Sequence, residues 1–179
     1  WVYFSYQPDV RQSALNYQRR DASRGGADIY KINVQTRQVI RLTTQVWTPP
    51  TGAAKWSPNH LSAAASDQFY LGYGIFNTGP CPLPGGKVMF TSSRDGYLPN
   101  KSYTFPNFRL YIMDDDGSNV EPVGHLNVGS ALHPTVLKDG RVMFSSHESQ
   151  GLRDQRSWGI WALWPDGRKW EPMVSAFHE

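Results

Sequence analysis

Short runs in which β-branched and aromatic residues alternate with small or polar ones recur along this chain, and Gly, Pro or Asp-Gly ends each of them. Val142-Met143-Phe144-Ser145-Ser146 and Ile160-Trp161-Ala162-Leu163-Trp164 are the clearest. A period of two over a handful of positions marks a β-strand, and helix-forming runs are few. The pattern predicts strands near 131–137, 141–146, 158–164 and 169–174. Tight turns at Lys138-Asp139-Gly140 and Pro165-Asp166-Gly167 join them, with glycine supplying positive φ. No apolar run approaches the roughly 18 residues that a membrane-crossing helix needs.

The runs repeat as a set. Pro80-x-x-Leu83-x-x-Gly86-Lys87-Val88-Met89-Phe90-Thr91-Ser92 returns as Pro134-x-x-Leu137-x-x-Gly140-Arg141-Val142-Met143-Phe144-Ser145-Ser146, each position shifted by 54. Leu110-Tyr111-Ile112-Met113-Asp114-x-Asp116-Gly117 returns as Ile160-Trp161-Ala162-Leu163-Trp164-x-Asp166-Gly167, shifted by 50. A more divergent copy comes first, in Val2-Tyr3-Phe4-Ser5, Asp28 to Asn33 and Gln38 to Leu42. Three units of roughly 50 residues with four strands each have the size of propeller blades. The expected fold is therefore all-β: a partial β-propeller of about three four-stranded antiparallel blades in one domain. The blades fall at about 1–56, 57–124 and 125–179, with an insertion at about 44–79. A closed ring takes about four to eight blades, so the same reading expects further blades outside these residues.

Two phrases carry a family likeness. Gly86-Lys87-Val88-Met89-Phe90-Thr91-Ser92-Ser93-Arg94-Asp95-Gly96 and Leu110-Tyr111-Ile112-Met113-Asp114-Asp115-Asp116-Gly117-Ser118-Asn119, with Trp56-Ser57-Pro58, resemble the WD40-like repeats of the TolB type. The likeness covers most of 80–175 and, more weakly, 1–60, and implies a propeller, while leaving function open. A narrower likeness runs through Cys81-Pro82-Leu83-Pro84-Gly85-Gly86 and the stretch from Leu132-His133-Pro134 to Glu148-Ser149-Gln150-Gly151-Leu152-Arg153-Asp154. It is to the propeller of hydrazine synthase alpha-subunit-like proteins, some of which pair it with c-type haem domains. That likeness implies an adjoining redox domain facing Cys81. The chain itself has no Cys-x-x-Cys-His for covalent haem.

Charge sharpens where a function would sit. The sequence carries 18 Lys and Arg against 15 Asp and Glu. Eight basic and five acidic residues fall in the second-to-third strand loops, about 5–27, 93–108 and 147–157, so the whole excess lies there. The connection from 44 to 79 exceeds its counterpart by 27 residues, and long loops on a rigid scaffold are where binding residues concentrate. Arg19, Arg20, Arg94, Arg153 and Arg156 with Tyr97 and Tyr103 have the composition of a protein-interaction face. No basic stripe suggests nucleic acid.

Chemical motifs are sparse. Cys81 is the single cysteine, beginning an innermost strand, and could reach a zinc ion only with His133, His125 or donors from elsewhere. His133 takes the position of Gly79 in the preceding unit. His147-Glu148 reads as a loop hydrogen-bonding pair, and Asp114-Asp115-Asp116-Gly117 as a strand turn lacking the ligand spacing of a calcium loop. There is no Gly-x-Ser-x-Gly elbow and no phosphate-binding glycine loop. No catalytic residue is assigned and no cofactor is expected within the segment; zinc or haem would come from an adjoining domain. The reading is a non-catalytic propeller segment of a larger secreted or periplasmic bacterial protein that binds a partner subunit or adjoining domain. The alternatives are the propeller of a multihaem redox enzyme and a propeller gating a hydrolase domain.

Overall fold

The structure, a computed structural model, describes residues 1–8, 26–46, 74–96, 107–124, 130–147 and 158–175. These hold eleven strands in three antiparallel sheets, with no helix among the described residues. The first sheet is β1 (Val2–Tyr6), β2 (Asp28–Ile32) and β3 (Val39–Arg41), in that order. The second is β4 (Asn77–Leu83), β5 (Lys87–Ser92), β6 (Arg109–Asp114) and β7 (Glu121–Pro122). The third is β8 (Ser130–Val136), β9 (Val142–His147), β10 (Trp158–Leu163) and β11 (Glu171–Ser175), which match the four expected strands to within about two residues. The chain divides into two compact units, Trp1–Thr78 with Ser92–Asn107, and Gly79–Thr91 with Phe108–Glu179.

The turns explain the recurrent Asp-Gly. In each copy the aspartate accepts the backbone N–H two residues on: Ser118 to Asp116 at 2.9 Å, Arg141 to Asp139 at 3.0 Å and Arg168 to Asp166 at 3.0 Å. The intervening Gly117, Gly140 and Gly167 sit at φ of 89°, 94° and 83°, where a side chain would be strained. Arg141 and Arg168 also return a side-chain bond to the same aspartate, both at 2.7 Å. The second and third sheets thus contain turns that the sequence specifies locally.

Period-two patterning gives each sheet two distinct faces. In the second unit Cys81, Leu83, Met89, Leu110 and Val123 from one sheet pack into a single cluster with Ala131, Val142, Phe144 and Leu163 from the next. Trp170 closes its rim, edge-on to Phe144 at 5.4 Å, with its indole N–H donating to Gly167 O at 3.0 Å. In the first unit Phe4 stacks on Tyr30 at 5.8 Å and the Lys31 ammonium lies over Trp1. Burial of each large side chain in such a cluster stabilises by roughly 1.5–3 kcal/mol.

Two irregularities break the ladders. The register of β8 against β9 shifts between Leu132 and Thr135, and His133 at the shift takes φ of 57°. Gly79, its counterpart, takes φ of 60°. The positive φ is therefore a property of the repeat, and His133 holds a backbone shape that glycine adopts at less cost. The other shift lies in β10 between Ile160 and Trp161.

Phe144→Ala is expected to lower unfolding free energy by about 3–5 kcal/mol in urea titration, since the cluster cannot collapse around the void. The exposed Val174→Ala should change it by no more than about 0.5 kcal/mol.

Candidate functional site

The antiparallel register sets which end of each sheet carries the long connections. In the first sheet Tyr6 pairs with Asp28, so the 21 residues between β1 and β2 leave and return at one end. In the third, His147 pairs with Trp158 across a connection of 10 residues. The opposite end of the first sheet carries the compact Asn33–Gln38 turn, and that of the third the Asp139-Gly140 and Asp166-Gly167 turns.

A buried polar network anchors the roots of three long connections in the first unit. The Asp28 carboxylate accepts from Arg41 Nη2 at 2.5 Å, Thr43 Oγ1 at 2.8 Å and Asn77 Nδ2 at 3.0 Å. Thr43 Oγ1 in turn accepts the Ile29 N–H at 2.9 Å. Asn77 Oδ1 accepts from Ser92 Oγ at 2.7 Å, and Ser92 Oγ accepts the Arg94 N–H at 3.1 Å. Ser93 exchanges bonds with Phe76 at 3.0 and 3.2 Å, and Gln45 clamps Ile75 from both sides at 2.7 and 2.8 Å. Asp28 closes the first connection, Asn77 the one from β3, and Ser92 opens the one to β6. A charge buried among three donors is stabilised by them and would be costly without them.

The second unit solves the same position differently. By the repeat, Ala131 replaces Asn77, Arg109 replaces Asp28 and Ser146 replaces Ser92. With no amide opposite, the buried Ser146 Oγ has no hydrogen-bond partner. His147 is buried there and stacks on Trp158, with ring centroids 4.9 Å apart.

The residues singled out from sequence are distributed as follows. Cys81 is buried in the apolar cluster, where desolvation pushes its thiol above the ordinary value against a smaller lowering by a backbone hydrogen bond with Val136. A protonated, apolar-packed thiol is a poor zinc ligand. His133 is exposed on β8, and His125 lies outside the described residues. Among the described residues no three His, Cys, Asp or Glu side chains gather as metal donors. Arg94 does not stand on an exposed face but is buried, because residues 92–96 stay bonded to the body of the unit through Ser92 and Ser93. Arg19, Arg20, Tyr97, Tyr103, Arg153, Arg156 and Glu148 lie outside the described residues. In the acidic turn Lys87 pairs with Asp114, Asn119 donates to Asp114 at 2.6 Å and Ser118 to Asp116 at 2.6 Å. The Lys87 hydrogen bond, then that of Asn119, holds the Asp114 carboxyl below its usual range. The turn is filled by its own donors.

Sequence reasoning missed the Asp28 network. Its side-chain partners lie 13, 15 and 49 residues from Asp28, so no local spacing announces it.

Asn77→Ala, which removes one of the Asp28 donors and the acceptor of the Ser92 hydroxyl, should cost about 1–3 kcal/mol by urea titration, whereas Ser146→Ala removes an unpartnered hydroxyl and should be neutral or stabilising. A thiol-specific reagent should label native Cys81 far more slowly than unfolded chain. Because burial raises this pKa, the folded state holds the proton longer, so the thiol's contribution to stability is intact below the ordinary value of 9.0 and declines as pH rises past it.

No protein-family model matches the chain, and no curated protein matches it. Solved structures do. A protein of Agrobacterium tumefaciens described as TolB is similar over 87% of this chain and 43% of its own, at 19% identity and a TM-score of 0.56. TolB of Acinetobacter baumannii is similar over 86% of this chain and 28% of its own, at 15% identity and a TM-score of 0.50. The chain thus spans less than half the length of either. At these identities the likeness concerns the fold, and the chain is an all-β protein with the blade architecture of TolB β-propellers.

Proposed function

We propose that this chain is a non-catalytic β-propeller scaffold that offers its long inter-strand connections to a protein partner. The observation that carries the reading is the Asp28–Asn77–Ser92 network, which ties together the roots of three such connections. Rigid roots reduce the ordering cost that flexible loops incur on binding. The sequence adds the chemistry: the connections hold the whole basic excess, with tyrosines beside the arginines, so the partner presents an acidic surface. In this reading the chain belongs to a larger secreted or periplasmic protein, and the partner is a subunit or an adjoining domain. No described residue favours the redox or hydrolase-gating readings over it.

The test compares the wild type with a variant carrying Arg19→Glu, Arg20→Glu, Arg153→Glu and Arg156→Glu, each immobilised against a secreted or periplasmic extract. A stoichiometric partner should be retained by the wild type, lost by the variant, and released as salt rises above about 0.15 M. Wild type that stays alone at low salt, or a partner held equally by the variant, overturns the proposal.

A further inference from the structure

Position by position, the second unit reverses the chemistry that surrounds Asp28. Tyr30 pairs with Arg41 in the first sheet as Tyr111 pairs with Pro122 in the second. The Leu42 N–H donates to Ile29 O as the Val123 N–H donates to Leu110 O, which puts Gly124 at the position of Thr43. With Ala131 for Asn77, the three donors to the Asp28 carboxylate are matched by proline, glycine and alanine, and none of these has a side-chain donor. The acid itself is matched by Arg109. A set of positions that holds a carboxylate and its donors in the first unit therefore carries a guanidinium and no acid in the second.

Two hydroxyls accompany the change. Ser146 Oγ, which matches the Ser92 hydroxyl, and Thr91 Oγ1 are both fully buried, and neither has a hydrogen-bond partner among the described residues. Alternation directs them into one inter-sheet layer. Thr91 shares a face of β5 with Met89, Ser146 shares a face of β9 with Val142 and Phe144, and these three apolar residues pack in a single cluster. A buried hydroxyl without a partner forfeits its desolvation outright, and two of them directed into one layer mark a place suited to an acceptor. Arg109 opens β6 at the end of the unit where β5 and β9 finish, and it is partly exposed while Thr91 and Ser146 are not. The cation thus reaches the surface above the buried hydroxyls.

We propose that this end of the second unit binds a carboxylate group, of a small molecule or of a peptide side chain, through Arg109 and the hydroxyls of Thr91 and Ser146. A carboxylate has about four acceptor sites and no donor, which suits a guanidinium and two donating hydroxyls. The first unit contains the same ensemble with the acid built in, since Asp28 takes its bonds from a guanidinium, a hydroxyl and an amide. Bonds of this kind to an ionised acceptor are the strong ones. A water would satisfy the hydroxyls but would leave the exchange of acid for arginine without a role. The site lies at strand ends and uses none of Arg19, Arg20, Arg153 and Arg156, so it is independent of the partner proposed above.

Backbone amide resonances of Arg109, Ala131 and Ser146 in the whole protein read the binding. Sodium acetate and a capped Gly-Asp-Gly peptide, each titrated against sodium chloride at constant ionic strength, should shift them saturably. Half-saturation is expected at about 1–10 mM, the affinity that a few charge-assisted bonds supply. Ser146→Ala, which removes one donor and keeps the fold, should weaken the response at least about tenfold, and Arg109→Gln should do the same. Tighter binding of the peptide than of acetate assigns the site to acidic side chains, and equal or weaker binding assigns it to small carboxylates; both support the proposal. No saturable shift, a response that chloride reproduces, or a response unchanged in Ser146→Ala overturns it. So does a response that wild type lacks and Glu148→Gln acquires, because the chain's own acid would then hold the place.

Discussion

A sheet whose two faces are both apolar is stable only with a layer on each side, and the rest of this structure follows from that requirement. The residues of β5 from Val88 to Ser92 are buried on both faces, Met89 and Thr91 on one and Val88, Phe90 and Ser92 on the other. No single sheet of this kind can stand alone. Repetition is the economical answer, since one pattern of alternating side chains can supply both the covering face and the covered one. The matched shifts of 54 and 50 residues are the trace of that economy in the sequence.

The repeat is held together by two chemistries at one structural position. Where the first unit uses Asp28, Asn77 and Ser92 in a closed set of directional bonds, the second has Ala131 and a hydroxyl without a partner. The first arrangement fixes geometry, because each donor has a single well-placed acceptor. The second relies on shape and apolar area, which tolerate volume-conserving exchange but specify direction weakly. The three longest connections, those between β1 and β2, β3 and β4, and β5 and β6, are rooted where the geometry is fixed.

The strands and turns were legible because their causes are local. Alternation marks a strand within five or six residues, and an Asp two positions before the N–H it accepts, with glycine between, marks a turn on its own. The equivalence of His133 with Gly79 was also visible, although only the backbone reveals that both take positive φ. Placement against distant chain was not legible. Cys81, read as beginning an innermost strand, suggested a zinc donor, yet alternation also permits the inward position it takes among Leu83, Met89 and Val136. Arg94 reads as a loop residue, while the bonds of Ser92 and Ser93 hold its segment in the body of the unit. The Asp28 network depends on tertiary contacts that no window of sequence contains.

Trp170 shows how far such distant contacts reach. A Cβ on Gly124 would lie 2.6 Å from its ring, and one on Gly167 would lie 2.9 Å from the Gly124 amide nitrogen. The three residues meet with backbone against indole, leaving no room for independent change. The three positions are therefore coupled: a side chain at 124 would meet the indole, one at 167 would meet the Gly124 backbone, and substitutions at 124, 167 and 170 should not add independently.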